Sequence, residues 1–361
     1  MADEKTSAPP AGTKAPARIG VLYDFLQHDG GESVEAAIML GISEVGERFD
    51  RPVELIARQA HGLPAGSIFD VERCFGELVS SGVLAIIGPA VSDNGLVVGQ
   101  LAESAQVPCI NYTGGERTRS SWMFHYQVGS LEEEPLVLLE YLRSQGHRDV
   151  AVVYDRTPVG RGYADTFTVG AEAASVSVVA SVAVDPLADT AAGVKGAVDR
   201  IRAAEPSAIC YLGMGVGARG LAHAVDEAKW EIPVVANSAL MFAYLHRDWR
   251  ALWEGWTYVD TLSDTNETLA DLRARDRKTG GGPVGVAAYD VGRIVGEGLA
   301  RTAHLTRDGL RLGLESVKRM PAASGLAGTV MGFGHYDHAA LKGPYLVLRR
   351  WESGKSVELV G

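Results

Sequence analysis

The sequence predicts an α/β protein of two lobes, each built on a parallel sheet, and three observations carry that expectation. The chain has 361 residues, more than the roughly 100–200 of one ordinary domain. From Arg18 onward, short apolar runs alternate with longer segments whose apolar residues recur at helical spacing, the pattern of βα units. The rhythm stops after FHYQV and then restarts, as it would at a second lobe.

The first run, RIGVLY, is a strand, and ESVEAAIMLGISEVGERF after it carries a helical face. PVELIAR, VLAIIG and VPCINY follow as strands, separated by the helix DVERCFGELVSSG and one from about Asn94 to Ala105. After FHYQV come helix EEPLVLLEYLRSQG, strand DVAVVY, a helix from about Gly162 and strand SVSVVASVAV. Helix VKGAVDRIRAAE, strand AICYLG, helix ARGLAHAVDEAK and strand IPVVAN lead to the aromatic run EGWTYVD. NETLADLRARD and GVAAYDVGRIVGEGLARTA read as covering helices, and the end as a strand, a polar turn and a final strand. Residues 1–17, rich in Ala, Pro, Lys and Thr, read as a disordered leader.

Charge and composition exclude several classes of function. A net charge of −11 with scattered charges gives no footprint for nucleic acid. No run reaches the ~18–20 apolar residues of a membrane span. Cys74, Cys109 and Cys210 sit in apolar runs without metal-type spacing and read as buried free thiols. The start has no basic and apolar export pattern. The chain as written therefore reads as cytoplasmic, and as extracytoplasmic if an export signal has been removed.

The sharpest enzyme-like motif is the GxGxxG of Gly215, Gly217 and Gly220, which follows strand AICYLG and opens a helix. A dinucleotide site also needs an acidic residue at the end of the next strand, and that strand ends in Asn237-Ser238. A plain strand-to-helix turn is the simpler reading. His335, Asp337 and His338 form an HxDH cluster in a polar turn, where such side chains are usually solvated. Asp165 and Asp290 read as caps or surface charges.

Ligands of open α/β sheets settle outside the carboxyl ends of strands, near helix starts. Four loops there share a mixture of small, hydroxyl and apolar or aromatic residues: 24–27, 88–94, 112–115 and 237–242. The mixture suits an apolar pocket with a few orienting hydrogen bonds. Ser92 and Ser238 also read as helix caps.

In order and spacing, IIGPAVSDNG, VPCINYTGG, VVYDRTPVGRGYADTF, AICYLGMG, AAYDVG and the closing FGHYDHAALKGPYLVLRRWESG resemble the type I periplasmic binding proteins, in the leucine/isoleucine/valine-binding and amide-sensor branch. The resemblance implies two Rossmann-like lobes with parallel sheets joined by three crossover strands, near Gln127, Asp260 and Lys342. Lobe 1 would hold residues 18–127 and 261–341, and lobe 2 residues 128–260 and 342–361. It implies no cofactor and no catalysis.

By the same resemblance the ligand cleft would be lined by Phe25, Ser92, Asp93, Tyr112, Thr113, Gly114, Gly115, Tyr163, Met214, Ser238 and Tyr289. Ser92 and 112–115 would offer hydroxyl and N–H groups to an acidic or amide end of the ligand. Amino-acid-binding members place an acidic side chain near Ser238, and NSALMF has none. The expected ligand is thus a neutral or carboxylate-bearing organic molecule with an apolar or aromatic body, not a zwitterionic amino acid. Arg117, Arg119 and Arg161 are the cations available to a carboxylate.

Three functions stay open at this stage. One is the substrate-binding component of an ABC-type transporter, with a membrane permease as partner. Another is a cytoplasmic ligand sensor of the amide-sensor type that acts on a regulatory protein. The third is an NAD-dependent oxidoreductase.

Overall fold

The computed structural model describes residues 14–24 and 31–359. Phe25, with the rest of the loop to Gly30, lies outside them. The first sheet is wholly parallel. Its strands are β1 (Ala17–Tyr23), β2 (Val53–Gln59), β3 (Ala85–Ile87), β4 (Cys109–Asn111) and β5 (Met123–His125), in spatial order β2-β1-β3-β4-β5. Helices α1 (Gly31–Ser43), α2 (Ile68–Ser80) and α3 (Ser92–Ala105) connect them. The apolar runs sit at the centre, where both faces are covered: β3 and β4 are buried throughout, whereas edge strand β2 is only half-buried.

The chain then passes to a second sheet through α4 (Glu134–Ser144). Strands β6 (Asp149–Asp155), β7 (Ser177–Val184), β8 (Ala208–Leu212), β9 (Val234–Ala236) and β10 (Thr257–Asp260) are parallel, with α5 (Pro158–Ala173), α6 (Ala191–Ala203) and α7 (Val216–Glu227) between them. Helix α5 begins four residues before the Gly162 expected from periodicity. Thr157 caps it by accepting the Gly160 N–H at 3.0 Å, and Pro158 occupies the first turn.

After β10 the chain returns to cover the first sheet with α8 (Glu267–Arg275), α9 (Pro283–Arg301) and α10 (Arg307–Glu315). Helices α1 and α9 approach so closely that a side chain at Gly41 or Gly292 would run into the backbone of the other helix. A small antiparallel sheet, β11 (Met320–Pro321), β12 (Val330–Met331) and β13 (Leu341–Lys342), leads back across. The second sheet is then completed by β14 (Val347–Glu352), antiparallel to β10, and by β15 (Lys355–Glu358), which forms a hairpin with it. Its order is β15-β14-β10-β9-β8-β6-β7. The expected single final strand is therefore two.

The cores divide accordingly. One joins Ile19, Ile87 and Phe124 to Leu269, Val291 and Leu314, from opposite ends of the chain. Another joins Val153, Tyr211 and Trp253 to Trp351, whose ring stacks on Tyr258 with centroids 5.8 Å apart. The cysteines are buried and free. Two sequence expectations need correction. Ala17 is not leader but the first residue of β1, because its N–H bonds the Pro52 carbonyl at 2.8 Å and extends the ladder. Asp290 is not a surface charge: it is fully buried and accepts from the Tyr126 hydroxyl at 2.7 Å and the Ala323 N–H at 2.8 Å.

Candidate functional site

Strand ends of the two sheets face each other across a seam, and the helices that start there position its side chains. On the first lobe, Asp24 follows β1 and fixes the loop that leads into α3. Its carboxylate accepts from the Ala90 and Val91 N–H groups at 2.8 and 3.0 Å and from Asn94 Nδ2 at 2.9 Å. Asn94 in turn holds the backbone of Leu63 through both its amide atoms. This places Ser92 and Asp93 in the first turn of α3.

The neighbouring loop is held by Asn111, whose Oδ1 accepts from the Thr113 N–H and hydroxyl at 3.1 and 2.7 Å. Ser92 Oγ accepts the Gly114 N–H at 3.2 Å, so Ser92 ties the two loops together and does not act as a cap. Thr113 and Gly115 are buried and Gly114 is half-buried. Tyr112 packs edge-on against Tyr126, centroids 6.4 Å apart, and among the described residues its buried hydroxyl has no partner.

On the second lobe the seam is organised by Glu134, at the start of α4 and fully buried. Its Oε1 accepts from the Ser130 N–H at 2.5 Å, the Tyr163 hydroxyl at 2.8 Å and the Ser238 hydroxyl at 3.0 Å, and its Oε2 accepts from the Ser238 N–H at 2.5 Å. Burial pushes its carboxyl up to about 7 despite these donors. Gly129, at φ +101°, lets the chain pass against this cluster, since a side chain there would meet both Glu134 and Ser238.

The lobes touch. A Cβ on Gly114 would lie 3.1 Å from the Tyr163 hydroxyl. Asp93, only 6% exposed, has the Val159 N–H of the first turn of α5 beside its carboxylate, and among the described residues its Oδ1 has no partner. Burial pushes the Asp93 carboxyl up to about 6.

At the GxGxxG turn, Gly215 has φ +98° and leads into α7. The place an anion would take before this helix belongs to Asp155 at the end of β6. It accepts from the Met214 N–H and the Tyr211 hydroxyl, each at 2.7 Å, and a side chain at Gly213 or Gly217 would collide with it. The glycines thus make room for a protein carboxylate.

A model of the family described as periplasmic binding protein matches residues 16–355. The chain belongs to that family. Its two-lobed type I fold is shared with solved structures of low sequence identity. An ABC transporter substrate-binding protein from Desulfitobacterium hafniense, in complex with Leu, has a TM-score of 0.78 at 17% identity, covering 96% of this chain and 100% of that one. A leucine-binding protein from Thermotoga maritima gives 0.77 at 13%, covering 95% and 98%. A solute-binding protein of an ABC transporter from Rhodopseudomonas palustris, in complex with 3,4-dihydroxybenzoic acid, gives 0.77 at 17%, covering 95% and 96%. No curated protein sequence is similar enough to match.

Of the residues that sequence assigned to the cleft of this periplasmic binding protein, the structure gathers Ser92, Asp93, Thr113, Gly114, Gly115, Tyr163 and Ser238 along the seam. Half-buried Met214 stands next to them at the Asp155 turn. Tyr289 is elsewhere. It is buried in the first lobe, where its hydroxyl bonds Glu44 at 2.5 Å, just past the far end of α1, and accepts from Arg275 at 2.8 Å.

The premise that Ser238 lacks an acidic neighbour is also overturned, because Glu134 reaches it from the crossover. Arg117 is exposed; Arg119 bonds Glu116 and His125, and Arg161 lies over the Tyr154 ring. Among the described residues none of the three is bonded to the seam. In the HxDH turn, His338 is buried and stacked on Phe124 at 4.0 Å, while His335 bonds Glu315 at 2.9 Å. No metal-holding cluster of His, Cys, Asp and Glu occurs among the described residues, and no helix there is long and apolar enough to cross a membrane.

Proposed function

We propose that this chain is the substrate-binding component of an ABC-type transport system, which closes its two lobes around a small organic molecule and presents it to a membrane permease. One observation carries the reading. A continuous chain of contacts crosses the seam, from Ser92 through Gly114 and Tyr163 to Glu134 and Ser238, using loops from both lobes. Such a contact path exists only when the lobes are together, so a ligand that bridges them favours the closed arrangement by its differential contacts.

Aromatic and thioether side chains around the polar groups suit an organic body. Half-buried Met214 and Phe242 lie on the second lobe, and Phe242 passes 3.5 Å from the Cβ position of Gly215. The test is a thermal-shift screen of the full chain over amines, amides, amino acids and aromatic acids, followed by small-angle scattering of each hit. A ligand at 100 times its Kd stabilises a fold by about 2.7 kcal/mol. Stabilising molecules are expected to shrink the radius of gyration. Hits that leave it unchanged would remove the closure mechanism, and a screen without any hit would remove the binding role.

A further inference from the structure

The strand ends and helix starts that face the seam carry more negative charge than their surroundings balance. Asp24, Asp93, Glu134 and Asp155 are all buried there. Among the described residues none of the four is in an ion pair. Three of them are satisfied by hydrogen-bond donors: Asp24 by three, Glu134 by four and Asp155 by two.

Those bonds consume several of the groups that would greet an anion. The N–H groups of Val91, Met214 and Ser238 point at protein carboxylates, that of Thr113 at Asn111 and that of Gly114 at Ser92. A ligand carboxylate entering the seam would meet neither a cation nor these donors, and would face buried like charges. Asp93 differs from the other three. The Val159 N–H lies beside its carboxylate from across the seam, and among the described residues its Oδ1 is buried without any donor. A buried acceptor left open destabilises the closed form until a donor arrives, and a charged donor answers it best.

We infer that the molecule held in this cleft is an organic cation, an amine, amidine or guanidine without a carboxylate, whose charged N–H group bonds Asp93 Oδ1. The inference rests on the cleft being the ligand site. It reverses the expectation that Ser92 and residues 112–115 receive an acidic end.

The experiment is calorimetry and small-angle scattering on the full chain with matched probes. Phenethylamine, isoamylamine and agmatine are the cations; 3-phenylpropionate and 4-methylvalerate are the carboxylates; 3-phenylpropionamide is the neutral member; phenylalanine and leucine are the zwitterions. At least one cation is expected to bind at least tenfold tighter than every other member and to compact the protein. Asp93→Asn, close in shape, should weaken that cation tenfold or more, while Asp93→Glu should keep the preference for cations and shows that loss in the first variant is not misfolding. Tighter binding of a carboxylate, amide or zwitterion, equal binding of the cation by Asp93→Asn, or no binding of any cation overturns the inference. If a non-cationic probe compacts the protein, the hinge-closing function stands without it; only a protein that no probe compacts loses both.

Discussion

Glu134 and Ser238 stand 104 residues apart in the chain, and two hydrogen bonds, from the Ser238 N–H at 2.5 Å and its hydroxyl at 3.0 Å, join them into one buried cluster. Every group around this carboxylate is a donor, so the amide of Glu134→Gln must turn an NH₂ toward a donor. That variant should lower the unfolding free energy by about 1–3 kcal/mol in a denaturant titration at pH 7.

The same carboxyl predicts a pH trend. Its pKa in the folded protein is about 7, above the ordinary 4.5. Between these values the unfolded chain holds fewer protons at this site than the folded one, so its contribution to stability falls as pH rises from about 4.5 to 7. The stability gap between wild type and Glu134→Gln, measured by denaturation at stepped pH, should therefore narrow over that interval. A gap that widens would contradict the burial argument.

Gly129 faces the cluster at φ +101°, with no space for a side chain. Gly129→Ala combines left-handed strain of about 1–3 kcal/mol with a clash. It should lower Tm in a scanning calorimeter, whereas an alanine at Gly76, which has open space around its Cβ position in α2, should not.

Asp155 fills the helix start that a dinucleotide's phosphates would require. Titration of the protein with NAD or NADP should give no binding heat. Gly217→Ala, which presses on Asp155 and on the Tyr211 hydroxyl, should cost about 1–3 kcal/mol of stability by overpacking.

Tyr289 contacts Glu44 and Arg275, on the first lobe away from the seam. Tyr289→Phe should lose about 1–3 kcal/mol in denaturation from the two missing hydrogen bonds, and should leave the affinity for any ligand found in the screen within twofold.

Much of the architecture was legible because apolar period and punctuation are local. The runs RIGVLY, DVAVVY and AICYLG are continuous and β-rich, and each became a central parallel strand. The seam loops were legible for a related reason, since they follow strand ends. Glu134 was not. It stands third in a run of glutamates before Pro135, which at a helix start reads as ordinary first-turn charge, and only the crossover carries it to Ser238. Asp155 was likewise hidden, because Tyr211 and Met214, which bond it, follow more than fifty residues later, and Asp24, though its loop was read as facing the ligand, gave no sign that the 88–94 loop would bury it. Strand β15 went unread because KSVE, with a single apolar residue, is held by its hairpin to β14 and not by a buried face. Tyr289 was misplaced because a tyrosine on a helix carries no mark of which end of the lobe it faces.

The two returns of the chain, by α8–α10 to the first sheet and by β14 to the second, bear on how the molecule comes into being. All five strands of the first sheet emerge early in synthesis, yet α9, which packs directly on α1, emerges only after the whole parallel part of the second sheet. The first lobe must wait with an uncovered apolar face, and it closes nearly together with the second. Neither lobe is a segment that can be cut out and expressed by itself, and contacts this distant in sequence predict slow folding. A ligand acting on either lobe thus acts on a unit that the chain assembles as a whole.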